Sequence, residues 1–111
     1  MRRKDKLPEL LAPAGDFECL VAAVAAGADA VYVGTKKFSA RAFAKNFDIS
    51  DIDRAARYCH LFGVRLYVTL NTLLTTSELK EAIELARELY LLGVDALIVS
   101  DLGLVRELRR L

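Results

Sequence analysis

Four polar side chains stand where this sequence could do chemistry: Arg41, Asn46, Asn71 and Asp101. Arg41 offers a planar, permanently charged fork that matches phosphate or carboxylate. Asn46 and Asn71 can donate and accept at once, whereas an ionised Asp101 only accepts. Around Arg41, segment 34–49 adds Lys36, Lys37 and Lys45 against Asp48, with Phe38, Phe43 and Phe47 interleaved. Basic residues among aromatics can hold an anionic, planar ligand such as an RNA base with its phosphate. The alternative is that the phenylalanines anchor the segment while the lysines are solvated.

The other reactive residue types point elsewhere. His60 is the single histidine. It falls beside the apolar stripe of a helical pattern, which suits a surface or core-edge residue. Cys59 falls on that stripe and Cys19 in an apolar helical stretch, so both read as packing residues. Their spacing is not that of a metal site. Two such cysteines suit a reducing cytoplasm rather than a disulfide framework. The sequence contains no nucleophile elbow, Walker loop or zinc signature. Asp16 and Asp101 each precede a helical stretch, where capping competes with ligand contact.

The elements that must position these residues come from a repeat. Gly27-Ala28-Asp29-Ala30-Val31-Tyr32-Val33, Gly63-Val64-Arg65-Leu66-Tyr67-Val68 and Gly93-Val94-Asp95-Ala96-Leu97-Ile98-Val99 each follow a helical pattern. The glycine suits the left-handed end of a helix, and the apolar run suits a buried strand. Strands are expected at about 9–12, 30–33, 65–70 and 96–100. Helices are expected at about 17–26, from Ser50 with Asp53 as a capping pair, at 77–92, and from Leu102 onward. The first helix is apolar nearly all round and so needs cover. Ile52, Ala55, Ala56, Cys59 and Phe62 form the buried face of the second. Leu79, Ala82, Ile83, Ala86, Leu89 and Tyr90 form that of the third.

The order βαβαβαβα implies parallel strands with helical crossovers. An open doubly wound sheet and a segment of a closed barrel both accept it. The evenly sized units favour the barrel, and a full (β/α) barrel takes about 250 residues. The expectation is therefore an α/β fold of about four βα units of a TIM-like barrel. Residues 1–8 form a basic lead and residues 9–111 the N-terminal half-barrel. The chain stops inside a helix without a glycine or proline stop, as a truncated barrel would. Open barrel edges would favour self-association, with Val31, Val33, Leu66, Val68, Leu97 and Val99 as candidates for the barrel-facing side. In such barrels the working face lies at the strand C-terminal ends. Segments 13–16, 34–49, 71–76 and 100–103 would reach it.

The 111 residues are 54% hydrophobic and 28% charged, a globular balance for one domain at most. No apolar run reaches the roughly 18 residues of a membrane span, and the basic start is not followed by a secretory signal pattern. The net charge of +1 gives no global pull toward nucleic acid.

Leu10-Leu11-Ala12-Pro13-Ala14-Gly15 and Ala28-Asp29-Ala30-Val31-Tyr32-Val33-Gly34 resemble the opening of the collagenase-like peptidases, peptidase family U32. The most specific match is Phe38-Ser39-Ala40-Arg41-Ala42-Phe43-Ala44-Lys45-Asn46-Phe47, which resembles the family's arginine-to-asparagine-phenylalanine loop. Tyr67-Val68-Thr69-Leu70-Asn71 and Ser100-Asp101-Leu102-Gly103 continue the pattern. The resemblance implies a peptidase by family name. It also implies kinship with proteins associated with hydroxylating RNA bases, including those of tRNA, or quinone precursors. It makes Arg41, Asn46, Asn71 and Asp101 the substrate-binding residues, with an RNA or peptide substrate. It implies an iron–sulfur cluster in a full-length parent, bound through cysteines this chain does not carry. The alternatives are a non-catalytic half-barrel module and an unrelated barrel enzyme that binds a small phosphorylated substrate.

Overall fold

The computed structural model describes residues 7–36 and 47–111. Strands and helices alternate: β1 Leu11–Pro13, α1 Phe17–Ala25, β2 Ala30–Gly34, α2 Ile49–Leu61, β3 Arg65–Leu70, α3 Thr76–Leu91, β4 Ala96–Val99 and α4 Leu102–Arg109. The three repeat glycines end helices with positive φ: 100° at Gly27, 72° at Gly63 and 88° at Gly93. A side chain in that region costs about 1–2 kcal/mol, which is why glycine marks each helix-to-strand turn.

Caps fix the helix starts. The Asp16 carboxylate accepts the Cys19 N–H at 2.8 Å, as the sequence suggests. The second helix starts earlier than the Ser50–Asp53 pair implies. Asp48 is its cap, accepting the Asp51 N–H at 2.8 Å while Asp51 accepts the Asp48 N–H at 3.1 Å. A carboxylate is the stronger acceptor, and the Ser50 hydroxyl donates to Asp48 at 2.9 Å instead of capping. Thr75 and Glu78 form a second reciprocal pair at the start of α3, which the sequence reading missed.

The four strands form one parallel sheet in the order β1-β2-β3-β4. Its register places Ala12, Val31 and Leu66 in one row, and Val33, Val68 and Leu97 in another. These residues pack with Leu20 of α1, Ile52, Ala55, Ala56 and Cys59 of α2, and Leu89 of α3. Leu70, Leu97 and Val99 pack with Ala82 and Ala86 of α3 and Leu104 of α4. The helices thus cover one face of the sheet. A doubly wound sheet would carry helices on both.

This settles which way each strand faces. Val31, Val33, Leu66, Val68, Leu97 and Val99 point at the helices, not into a barrel. Period-two alternation sends Leu11, Tyr32, Tyr67 and Ile98 to the uncovered face instead. A strand run apolar on both sides hides this parity, and only the helix contacts reveal it. Three further expectations change. Phe62 is exposed because it lies past the last turn of α2, leaning on Tyr58 with ring centroids 5.0 Å apart. Tyr90, at the edge of the stripe, is 79% exposed. Cys19 is exposed, because α1 buries only Leu20 fully.

Candidate binding mouth at the strand ends

At the C-terminal ends of β3 and β4, two connections meet at Asp101. Its Oδ1 accepts the Leu104 N–H at 2.9 Å, which caps α4. Its Oδ2 accepts the Leu74 N–H at 3.0 Å, which ties the β3–α3 connection to the start of α4. The Leu74 and Leu104 N–H groups, in that order, hold this carboxyl below its usual 3.8. Gly103 stands close by, and a Cβ there would meet Asp101 Oδ1 at 3.1 Å. Asn71, half-buried, is the first residue after β3, and β3 pairs directly with β4. Asn71 and Asp101 thus follow neighbouring strands at the same end of the sheet.

The neck of the long connection after β2 is closed. Thr35 forms a parallel bridge with Phe47. The Phe47 N–H donates to the Gly34 carbonyl at 2.9 Å. Phe47 is 3% exposed, so for this ring the anchoring role holds. Lys37, Phe38, Arg41, Phe43, Lys45 and Asn46 lie outside the described residues. A cleft of about 370 Å³ lies between the neck and α3, lined in part by Lys36, Glu81, Glu84 and Glu88. With Asp48 also on its wall, four carboxylates against one ammonium repel phosphate, so this cleft suits no nucleic-acid backbone.

The opposite end of the sheet carries a polar group that the sequence reading missed. On the uncovered face Glu9 forms an ion pair with Arg65 and accepts the Tyr67 hydroxyl at 2.9 Å. Partial burial first, and then the bond to Glu9, push the Tyr67 hydroxyl above its usual 10.0. The two-residue spacing of Arg65 and Tyr67 was the available signal, since it puts both on one face.

The remaining candidates are structural. His60 Nε2 lies 2.7 Å from Asp95 Oδ2 at the molecular edge. Cys59 is fully buried, and burial followed by the Asp95 charge pushes its thiol up to about 11. Such a thiol is inert as a nucleophile. Among the described residues no group of three or more histidine, cysteine or acidic side chains could hold a metal ion. An exposed Cys19 and a core Cys59 do not fit an iron–sulfur cluster. No helix among the described residues is long and apolar enough to cross a membrane.

Comparison with known proteins agrees with the resemblance in the sequence. The family model described as peptidase family U32 matches residues 15–111. The chain is 45% identical over 97 residues to the 23S rRNA 5-hydroxycytidine C2501 synthase of Escherichia coli, covering 87% of this chain and 15% of that protein. It is 35% identical over 105 residues to tRNA hydroxylation protein P1 of Bacillus subtilis, covering 95% of this chain and 25% of the relative. It is 36% identical over 99 residues to a collagenase of Porphyromonas gingivalis, covering 86% and 23%. The chain therefore spans a quarter or less of the length of these relatives.

Proposed function

Since the chain belongs to peptidase family U32, we propose that it is the N-terminal half of a (β/α) barrel whose strand C-terminal ends hold an RNA base for hydroxylation. The observation that carries this reading is the placement of Asn71 and Asp101 after the neighbouring parallel strands β3 and β4, at the end of the sheet where the connection after β2 also leaves. Parallel βα units with helices on one face put working residues at that end. The similarity to proteins named for rRNA and tRNA hydroxylation supplies the substrate class.

In this reading Arg41 forks onto a phosphate. Asn46 and Asn71 meet the edge of an unstacked base. Asp101 keeps the β3–α3 connection in place and has lone pairs left for a base amino group. The oxidation chemistry belongs to a longer parent, as does any iron–sulfur cluster. The chain alone is a binding half rather than a complete enzyme, and it works in the cytoplasm. The family match displaces the reading of an unrelated barrel for small phosphorylated substrates.

Fluorescence anisotropy with a labelled RNA hairpin tests the proposal. Arg41→Ala should weaken binding by about 1–3 kcal/mol and lower the salt slope by about one. Unchanged affinity would remove Arg41 from the site. The collagenase relative favours a peptidase reading. Against it, His60 is turned to Asp95 and Cys59 is sealed in the core. Cleavage of labelled gelatin by the 111-residue chain would reverse that judgement.

A further inference from the structure

Asp101 stands on a short connection and Asn71 on a longer one. Strand β4 ends at Val99 and α4 starts at Leu102, so Ser100 and Asp101 make up all that lies between them. The strand on one side and the helix on the other fix the Asp101 backbone. The β3–α3 connection beside it runs from Asn71 to the cap residue Thr75. Asn71 opens that connection, half-buried.

Capping α4 takes one acceptor, and Oδ1 of Asp101 supplies it to the Leu104 N–H at 2.9 Å. Gly103 leaves that oxygen its room, since a Cβ there would approach it to 3.1 Å. Serine or asparagine would cap as well. What a carboxylate adds is a second acceptor, and Oδ2 takes the Leu74 N–H at 3.0 Å. The same N–H groups keep the carboxyl ionised, so neither oxygen turns donor at neutral pH. Leu74 is held again by its side chain, which packs against the cluster containing Leu70 and Leu104. The backbone is thus pinned at Leu70, the last residue of β3, and once more at Leu74. Asn71, Thr72 and Leu73 alone lie between the two pins.

We infer, resting on the binding-mouth reading above, that Asp101 is a positioning residue that acts through Asn71: its bond to Leu74 sets the pose in which Asn71 meets the RNA base. An amide reads a base edge only when its donor and acceptor arrive in line, because hydrogen bonds weaken steeply as they bend. With Leu74 tied, the three residues between the pins are ordered before RNA arrives. With Leu74 released, binding has to order them, and affinity falls by that entropy. In this way β4 and α4 support a side chain that belongs to the neighbouring connection. Every contact involved lies within residues 70–104.

Asp101→Asn separates the two duties. The amide oxygen still caps α4, while its NH2 group faces the Leu74 N–H, donor to donor. By NMR, the Leu74 amide should exchange about tenfold faster or more. The Leu104 amide should stay near its wild-type rate, and the side-chain NH2 signals of Asn71 should move. Affinity for a labelled RNA hairpin should fall about tenfold. Asn71→Ala should weaken binding by a similar factor, and the double variant should lose little beyond either single one, because both remove the same contact. Losses that add overturn the inference and give Asp101 a direct contact with the base. Unchanged Leu74 exchange in Asp101→Asn overturns it, and so does wild-type RNA affinity once Leu74 is released. If Asp101→Asn does not fold, Asp101→Ser replaces it, since its single oxygen serves α4 alone. Should Arg41→Ala and Asn71→Ala both leave RNA affinity unchanged, the binding mouth itself fails. Should both weaken it while Asp101→Asn does not, only the positioning role fails.

Discussion

The carboxylate of Asp95 accepts the backbone N–H of Leu66 at 2.7 Å, while the N–H of Asp95 donates to the Leu66 carbonyl at 2.9 Å. Asp29 does the same with Leu10: its carboxylate accepts the Leu10 N–H at 2.6 Å and its own N–H donates to the Leu10 carbonyl at 2.8 Å. Both aspartates follow their helix-ending glycine by two residues. Each ties the first residues of its strand to the preceding strand, β1 to β2 and β3 to β4. The third member of the repeat has Arg65 at this position. Arg65 donates its N–H to the Asp29 carbonyl and sends its side chain to Glu9. The repeat thus alternates a carboxylate clasp with a side chain aimed across the open face.

Asp95→Ala should destabilise the chain more than Asp29→Ala. Asp95 accepts the part-buried Leu66 N–H and also holds His60, whereas the Leu10 N–H that Asp29 accepts is exposed. Loss of the clasp leaves a part-buried N–H without its acceptor, a cost of about 1–3 kcal/mol. Urea unfolding at fixed protein concentration measures it. A double-mutant cycle with His60→Ala should return a coupling of about 0.5–1 kcal/mol at pH 6. Additive effects would mean that the His60 contact contributes nothing.

Acid should weaken the fold through Asp101 and Asp48. Asp101 is held below the usual 3.8 by the Leu74 and Leu104 N–H groups, and Asp48 by the Asp51 N–H and then the Ser50 hydroxyl. A depressed folded-state value means the unfolded chain takes up protons first as pH falls. The stabilisation is complete above 3.8 and disappears as pH drops through the lower folded values. Unfolding midpoints between pH 5 and about 2 should fall for the wild type. Asp101→Asn should start less stable and lose less over that window. Parallel curves for the two proteins would contradict the assignment.

The fold was legible where one residue type answers one geometric demand. Gly27, Gly63 and Gly93 sit where only glycine fits cheaply, so helix ends and strand starts followed at once. The cap at Asp16 was legible for a similar reason. Strand parity was not, because Val31-Tyr32-Val33 is apolar or aromatic at every position and alternation gives no contrast. The start of α2 was misread because Ser50 and Asp48 are both good caps, and only coordinates show the serine donating to the carboxylate. Of the site, Asn71 and Asp101 were readable as the residues following strands. The structural duty of Asp101 toward Leu74 lies 27 residues away in sequence and left no local trace.

Tyr67 should ionise only above the usual 10.0. Partial burial and the Glu9 carboxylate both oppose a phenolate there. Its folded value is raised above 10.0, so the stability it contributes is present below 10 and is lost as pH rises through the folded value. Absorbance titration at about 295 nm, where phenolate absorbs, should show a trailing step above 10.0. Tyr67→Phe should remove the trailing step. If the step persists, another tyrosine carries it.

The two cysteines should separate by more than a rate constant. Cys19 lies exposed on the outer flank of α1, one turn before Ala22, while Cys59 is sealed between α2 and the sheet. With a value of about 11, Cys59 is thiolate in only about one molecule in a thousand at pH 8. A disulfide reagent at micromolar protein should therefore modify one thiol quickly and the second only after unfolding in guanidinium. Cys19→Ser should erase the fast phase and leave the slow one intact. Two fast phases in the folded chain would mean that Cys59 is reached without unfolding.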